Sequence, residues 1–175
     1  MRMIVEQVGT WDRAWLAGIA ARRAPPWLDR GFRALTHAGG TRATILFSAL
    51  LLIHPATRPL GIATALANLA SHLAVQALKR TVVRARPHHS VDSLDVLVHI
   101  PDAFSFPSGH AAASISIALT VLLTGPELFG AALLALGVII GASRVYLRVH
   151  YVTDVLAGQL LGAGGALLAV VVVRG

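Results

Sequence analysis

The chain has 175 residues, no cysteine and a formal net charge of +7. That length suits one domain, and the composition excludes disulfides, thiolate chemistry and cysteine metal sites. Hydrophobic residues make up 55% and charged residues only 13%, about half the charged share of a soluble domain; with a mean hydropathy of +0.70, lipid rather than water is the expected solvent. The basic residues cluster between apolar runs instead of lying on a face with interleaved aromatics. This argues against nucleic acid and for anionic head groups or a phosphate-bearing ligand.

Residues Met3 to Arg23 read as an amphipathic interfacial helix, with Trp11, Trp15 and Trp27 at head-group depth. No cleavable leader is expected, because the short run Ala14 to Ala21 is followed by Arg22, Arg23, Pro25 and Pro26. Five apolar segments follow: about Ala43 to Ile53, Leu60 to Leu78, His110 to near Thr124, Leu128 to Ala142, and Val152 to Val173. A crossing takes roughly 20 residues. The second and fifth segments fit that length, whereas the others need neighbouring residues or a thin bilayer. Turn signals at His54-Pro55, Arg58-Pro59, Arg86-Pro87, Phe106-Pro107 and Gly125-Pro126 separate the runs.

Backbone polar groups in lipid must be satisfied within the segment, so the runs are expected to be helices. The predicted fold is an all-α, polytopic transmembrane bundle of about five spans, behind an interfacial region over 1–37 and with a core over 38–175, all in one domain. Ala63, Ala67, Ser71, Gly158 and Gly162 are small enough for close helix contact. Asn68, His72 and Gln76 lie within the second run, where hydrogen bonding between helices is the default expectation, although polar groups at membrane depth also mark substrate paths. The long connection from His88 to Phe106 holds Asp92, Asp95, His99 and Asp102, read as solvated loop.

Three polar motifs sit at the ends of apolar runs: Lys79 to Pro87, Pro107-Ser108-Gly109-His110, and Ser143 to Asp154. The third and fourth runs form a hairpin, so all three motifs fall on one membrane face. The Gly125-Pro126-Glu127 turn and the carboxy terminus fall on the other. His150 and Asp154 are four residues apart and share a helix face. A carboxylate beside an imidazole fixes its tautomer and stabilises the imidazolium, preparing the other nitrogen as a nucleophile. His110, just after a helix start, could protonate a leaving oxygen and then activate water. The backbone N–H groups of Ser108 and Gly109 could hold phosphate oxygens at that helix start. Lys79, Arg86 and Arg144 would supply charge to equatorial oxygens, arginine through its bidentate fork. Arg80, Arg84 and Arg148 are further cations, with head-group contact and a role in the site left as alternatives. No metal or other cofactor is expected, since too few carboxylates lie nearby for a two-metal site.

These motifs resemble those of the type 2 phosphatidic acid phosphatase superfamily, whose pattern is K-x6-R-P, then P-S-G-H, then S-R-x5-H-x3-D. The resemblance spans about Leu28 to Gly164 and implies a helical membrane phosphatase. It implies a covalent phosphohistidine on His150, His110 as acid and base, Asp154 as the partner of His150, and phosphate binding by Lys79, Ser108, Gly109, Arg86 and Arg144, without a metal. The expected substrate is a phosphate monoester or diphosphate of a phospholipid or polyprenyl lipid. A lipid phosphotransferase using the same phosphohistidine, or a non-catalytic membrane protein that binds anions or lipids, are the alternatives. Bacterial relatives commonly have six spans and an external site; here an interfacial segment stands where the first span would be. Of the fifteen Lys and Arg, all but Arg58 and Arg174 fall on the motif side, so the positive-inside rule favours a cytoplasmic site against that family habit.

Overall fold

The computed structural model describes residues 2–21, 24–87, 96–98 and 103–175, with side chains described at all of these except 2–8 and 20. The loop residues His88, His89, Asp92, Asp95, His99 and Asp102 lie outside the described residues. The described chain is helical: α1 (Arg2–Ala20), α2 (Pro26–Thr36), a 3₁₀ turn (His37–Gly39), α3 (Thr41–Ile53), α4 (Arg58–Thr81), α5 (Gly109–Thr124), α6 (Glu127–Tyr146) and α7 (Val152–Arg174). An isolated antiparallel bridge joins Ala85 to Phe104.

The helix ends follow local chemistry. Proline in the first turn of α4 loses no hydrogen bond there, and Lys79 and Arg80 in its last turn complement the helix dipole. The Ser108 side chain caps α5 by accepting from the Ala111 N–H at 3.5 Å. The Asp154 carboxylate caps α7 by accepting from the Tyr151 N–H at 2.9 Å.

α4, α6 and α7 are long and apolar enough to cross a membrane, while α3 and α5 are apolar but shorter. α6 outruns its apolar stretch, continuing past Ala142 through Ser143, Arg144 and Val145 to Tyr146. Its last turn thereby carries Arg144. The membrane-facing surfaces show Ile53, Leu128, Leu160 and Val171, each at least 70% exposed, as lipid-facing side chains should be in a bundle whose solvent is hydrocarbon.

α5 is the hub and packs on α4, α6 and α7. Lipid gives helices no hydrophobic reason to associate, so close backbone approach must supply the attraction. α7 achieves it with glycine: a Cβ at Gly158 would lie 2.4 Å from the Ser108 carbonyl oxygen, one at Gly162 2.3 Å from that of Ala112, and one at Gly165 2.7 Å from that of Ala67. Opposite them, Ala63, Ala67 and Ser71 of α4 are buried.

Ahead of α3 the described residues hold two helices, α1 and α2, where the apolar pattern suggests one interfacial helix. Trp11, Trp15 and Trp27 are 46%, 54% and 67% exposed, which fits head-group contact. Leu16 of α1 inserts among Ala111, Val145, Tyr151 and Val155. α2 is tied to α6 by a 2.6 Å hydrogen bond from the Tyr146 hydroxyl to Asp29 and by a ring contact of Phe32 with Tyr146 at 4.5 Å. Both helices therefore pack at the end of the bundle that carries the three motifs.

Gly162→Ala should drive α7 off the α5 backbone, a clash of a kind that costs about 1–3 kcal/mol, and lower the melting temperature in detergent. Gly164→Ala meets nothing within 4 Å and should leave melting unchanged or slightly raised. Equal melting of the two variants in a thermal-shift assay would contradict the packing described.

Candidate active site

A cavity of about 390 Å³ opens where the three motifs meet, and its polar end is lined by Lys79, Arg86, Gly109, His110, Arg144 and His150. They come from five places in the fold. Lys79 ends α4, Arg86 follows it in the loop, Gly109 and His110 open α5, Arg144 closes α6, and His150 lies in the connection to α7. Asp154 stands behind His150, in the first turn of α7.

The α6–α7 connection is folded tightly back on itself. Arg148 adopts φ 62°, the left-handed region that side chains seldom occupy. That reversal brings the N–H groups of Val149 and His150 to the Arg144 carbonyl at 3.2 and 3.3 Å. Arg144 and His150, six positions apart, are thus fixed to one another through backbone.

His150 is 2% exposed. Its Nδ1 faces Asp154 Oδ2 at 3.6 Å, a charge contact longer than a hydrogen bond. Its Nε2 lies 3.5 Å from an Arg86 terminal nitrogen. Burial, reinforced by Arg144 and Arg86 and opposed by Asp154, lowers the imidazole pKa to about 4. The ring is therefore neutral near pH 7 and keeps a lone pair. Arg86 is 1% exposed and is held in place by a 2.7 Å hydrogen bond to the Val149 carbonyl. Arg144 is 3% exposed and donates to the Thr36 hydroxyl at 2.7 Å. His110 is surrounded by Arg144, His150, His37 and Lys79, and its Nε2 is close to Gly40, where an added Cβ would sit 3.5 Å away.

Ser108 departs from expectation. Its N–H donates to the Asp154 carbonyl at 2.9 Å and so is not aimed into the cavity. Its side chain is occupied as the α5 cap. The bond to Asp154 instead clamps the second motif to the third. Gly109 keeps its place on the cavity wall.

Four residues support the site: Asp12, Thr153 and Thr36, which the motif reading did not place there, and Arg84, for which a role in the site was one alternative. Asp12 of α1, fully buried, accepts from Arg84 at 2.7 Å, from the Thr153 N–H at 3.2 Å and from the Thr153 hydroxyl. Arg84 also donates to Asp154 Oδ1 at 2.6 Å and to the Thr153 hydroxyl at 2.7 Å, and lies 4.1 Å over the Tyr151 ring. Burial alone would lower the Arg84 pKa, but Asp154 and Asp12 together hold it above the ordinary value. Thr36 is the fourth, as the acceptor for Arg144. Arg84 carried a sequence signal, being two residues before Arg86 in the first motif. Asp12 carried none, since one acid between two tryptophans reads as a solvated face.

Comparison with known proteins is consistent with this geometry. The model of the PAP2 superfamily matches residues 57–175. The undecaprenyl-diphosphatase of Sulfolobus acidocaldarius is 34% identical over 136 residues, covering 78% of this chain and 66% of that protein. The decaprenylphosphoryl-5-phosphoribose phosphatase of Mycolicibacterium smegmatis is 35% identical over 153 residues, covering 84% of this chain and 80% of the relative. Among solved structures, Aquifex aeolicus LpxE superposes with a TM-score of 0.78 at 28% identity, covering 90% of this chain and 93% of its own. The transmembrane PAP2-type phosphatidylglycerolphosphate phosphatase of Bacillus subtilis superposes with a TM-score of 0.76 at 29% identity, covering 93% and 84%. A matched segment that begins just before α4 and holds all three motifs, on a helical scaffold shared with two solved structures, one of them a transmembrane PAP2-type phosphatase, places this chain in the PAP2 superfamily.

Proposed function

We propose that the chain is a multi-pass membrane phosphatase that removes a terminal phosphate from a lipid monoester or diphosphate through a phosphohistidine on His150, without a metal. The observation that carries this reading is the setting of His150: Nδ1 toward Asp154, Nε2 toward Arg86, in one cavity with Lys79, His110 and Arg144.

In the first step Nε2 attacks phosphorus, the P–N bond forms and the bond to the lipid oxygen breaks. His110 gives its proton to that departing oxygen. Asp154 balances the charge growing on the imidazole. Arg86, Arg144 and Lys79 neutralise the three equatorial oxygens, where charge gathers in the transition state, with the Gly109 N–H at the start of α5 as a further donor. In the second step water attacks phosphorus, His110 takes its proton, the P–N bond breaks and inorganic phosphate leaves.

The cavity continues from its polar end between α3 and α4, along Ile45, Ala49, Leu52, Ala65 and Leu69. This limb suits an apolar tail, so the phosphate can reach the cations while the tail stays at membrane depth. The names of the relatives, polyprenyl and glycerolipid phosphatases alike, agree with such a substrate. The packing of α1 and α2 at the site end adds Arg13, Arg30 and Arg33 to that face and supports a cytoplasmic site.

Detergent-purified protein with EDTA should release phosphate from a panel of lipid phosphates, and His150→Ala should release none; turnover by that variant would remove the covalent mechanism. His110→Gln should lower kcat about 10²–10⁴-fold on a lipid phosphate but much less on p-nitrophenyl phosphate, whose leaving group needs no proton. Equal losses on both would deny His110 its role as acid. Because the chain has no cysteine, Gly31→Cys, exposed on α2 with nothing within 4 Å, gives a single label site. An impermeant maleimide should label it only after cells are opened; labelling of intact cells would put the site outside.

A further inference from the structure

Arg84 stands between two carboxylates from distant parts of the chain. One of its terminal nitrogens donates to Asp154 Oδ1 at 2.6 Å and to the Thr153 hydroxyl at 2.7 Å. The other donates to Asp12 Oδ2 at 2.7 Å. A guanidinium facing a single carboxylate commonly grips it with both nitrogens, in two parallel hydrogen bonds. Asp12 prevents that grip here. Arg84 takes one oxygen of Asp154, and the other oxygen, Oδ2, stays with the Tyr151 N–H and faces His150 Nδ1.

Asp12 is built into this place. It is fully buried, although Trp11 beside it on α1 is exposed. One helical turn further on, Leu16 anchors α1 among Ala111, Val145, Tyr151 and Val155. Asp12 also accepts from the Thr153 N–H at 3.2 Å and from the Thr153 hydroxyl, so it caps the start of α7 from a different helix. Capping alone needs no charge, since serine, threonine or asparagine serves as well. A buried carboxylate is costly unless it is paired, so an acid at this position points to the cation that it faces. That cation matters to His150. The imidazole gains charge as Nε2 bonds to phosphorus, and Asp154, 3.6 Å from Nδ1, is the carboxylate that balances it. A two-pronged grip by Arg84 would draw that charge away.

We propose that Asp12 is a positioning residue for the phosphatase reaction: by holding the second nitrogen of Arg84, it keeps one oxygen of Asp154 turned toward His150. The proposal rests on the phosphohistidine reading and adds to it a residue outside the three motifs and outside the matched segment. Asp12 does not line the cavity; it acts through Arg84 and Asp154. In Asp12→Asn, Arg84 closes on Asp154 and one net positive charge is added behind His150. The attack of Nε2 then slows, while phosphate, an anion, binds no more weakly. A general loosening of the site would instead weaken both.

The test uses the full chain, purified in detergent, with the lipid phosphate that the wild type hydrolyses fastest. Single turnovers with enzyme in saturating excess give a rate constant for ester cleavage that does not depend on how much of the protein is folded. Competitive inhibition by inorganic phosphate gives the affinity for the anion. Asp12→Asn should lower the rate constant at least about tenfold and leave the phosphate inhibition constant unchanged or lower. Adding Arg84→Gln to Asp12→Asn removes the surplus cation and should recover most of the lost rate, a non-additivity expected only of groups that act on one another. An Asp12→Asn rate constant equal to that of the wild type would overturn the proposal and leave the phosphatase reading intact. So would a double variant no faster than Asp12→Asn, or a phosphate inhibition constant raised in step with the lost rate. No turnover by the wild type on any lipid phosphate would remove both readings together.

Discussion

A carboxylate buried at the start of a membrane helix must be matched on every side, and Asp154 shows how this fold does so. One of its oxygens receives the Tyr151 N–H at 2.9 Å and faces His150 Nδ1 at 3.6 Å. The other receives Arg84 at 2.6 Å. Its own carbonyl accepts the Ser108 N–H. An ionised carboxylate withdrawn from water is tolerable only with such a set. Satisfying it brings together the loop after α4, the start of α5 and the start of α7. The charge that steadies His150 is thus also what positions the elements around it.

Helix association works toward the same end. The close approach at Gly158 places the α7 backbone directly against Ser108, and that at Gly162 places it against Ala112. The cap of α5 and the first turn of α7 therefore cannot drift apart without opening the α5–α7 seam. Rigid elements hold groups more accurately than loops do, and here the groups that depend on loops, Arg86 and His150, are each pinned to backbone: Arg86 to the Val149 carbonyl and His150 to that of Arg144.

Much of this could be read from the chain alone, and the reason is chemical. Hydrocarbon permits few backbone solutions, so apolar runs between prolines mark helices with little ambiguity. Motif residues at the ends of those runs have one shared face available to them. Lys79, Arg86, Gly109, His110, Arg144 and His150 do line one cavity. What escaped were features set by a single contact in three dimensions. The Ser108 N–H looked free because α7 was not yet beside it. The continuation of α6 to Tyr146 was hidden by the polar residues that end its apolar stretch. Asp12 and Thr36 have no pattern around them, and only the docking of α1 and α2 gives them partners.

That docking bears on where the working unit begins. The family match starts at residue 57, which would suggest that everything before α4 is accessory. Yet Asp12 supplies one of the two carboxylates on Arg84, and Thr36 supplies the hydroxyl that accepts from Arg144. α3 supplies one wall of the limb that leads from the cations into the membrane. A graft of the matched segment onto a foreign amino-terminal part would carry every signature residue and still have Arg84 overcharged, Arg144 unanchored and the apolar limb of the cavity without its α3 wall. The smallest transplantable enzyme is larger than the sequence signature that identifies it.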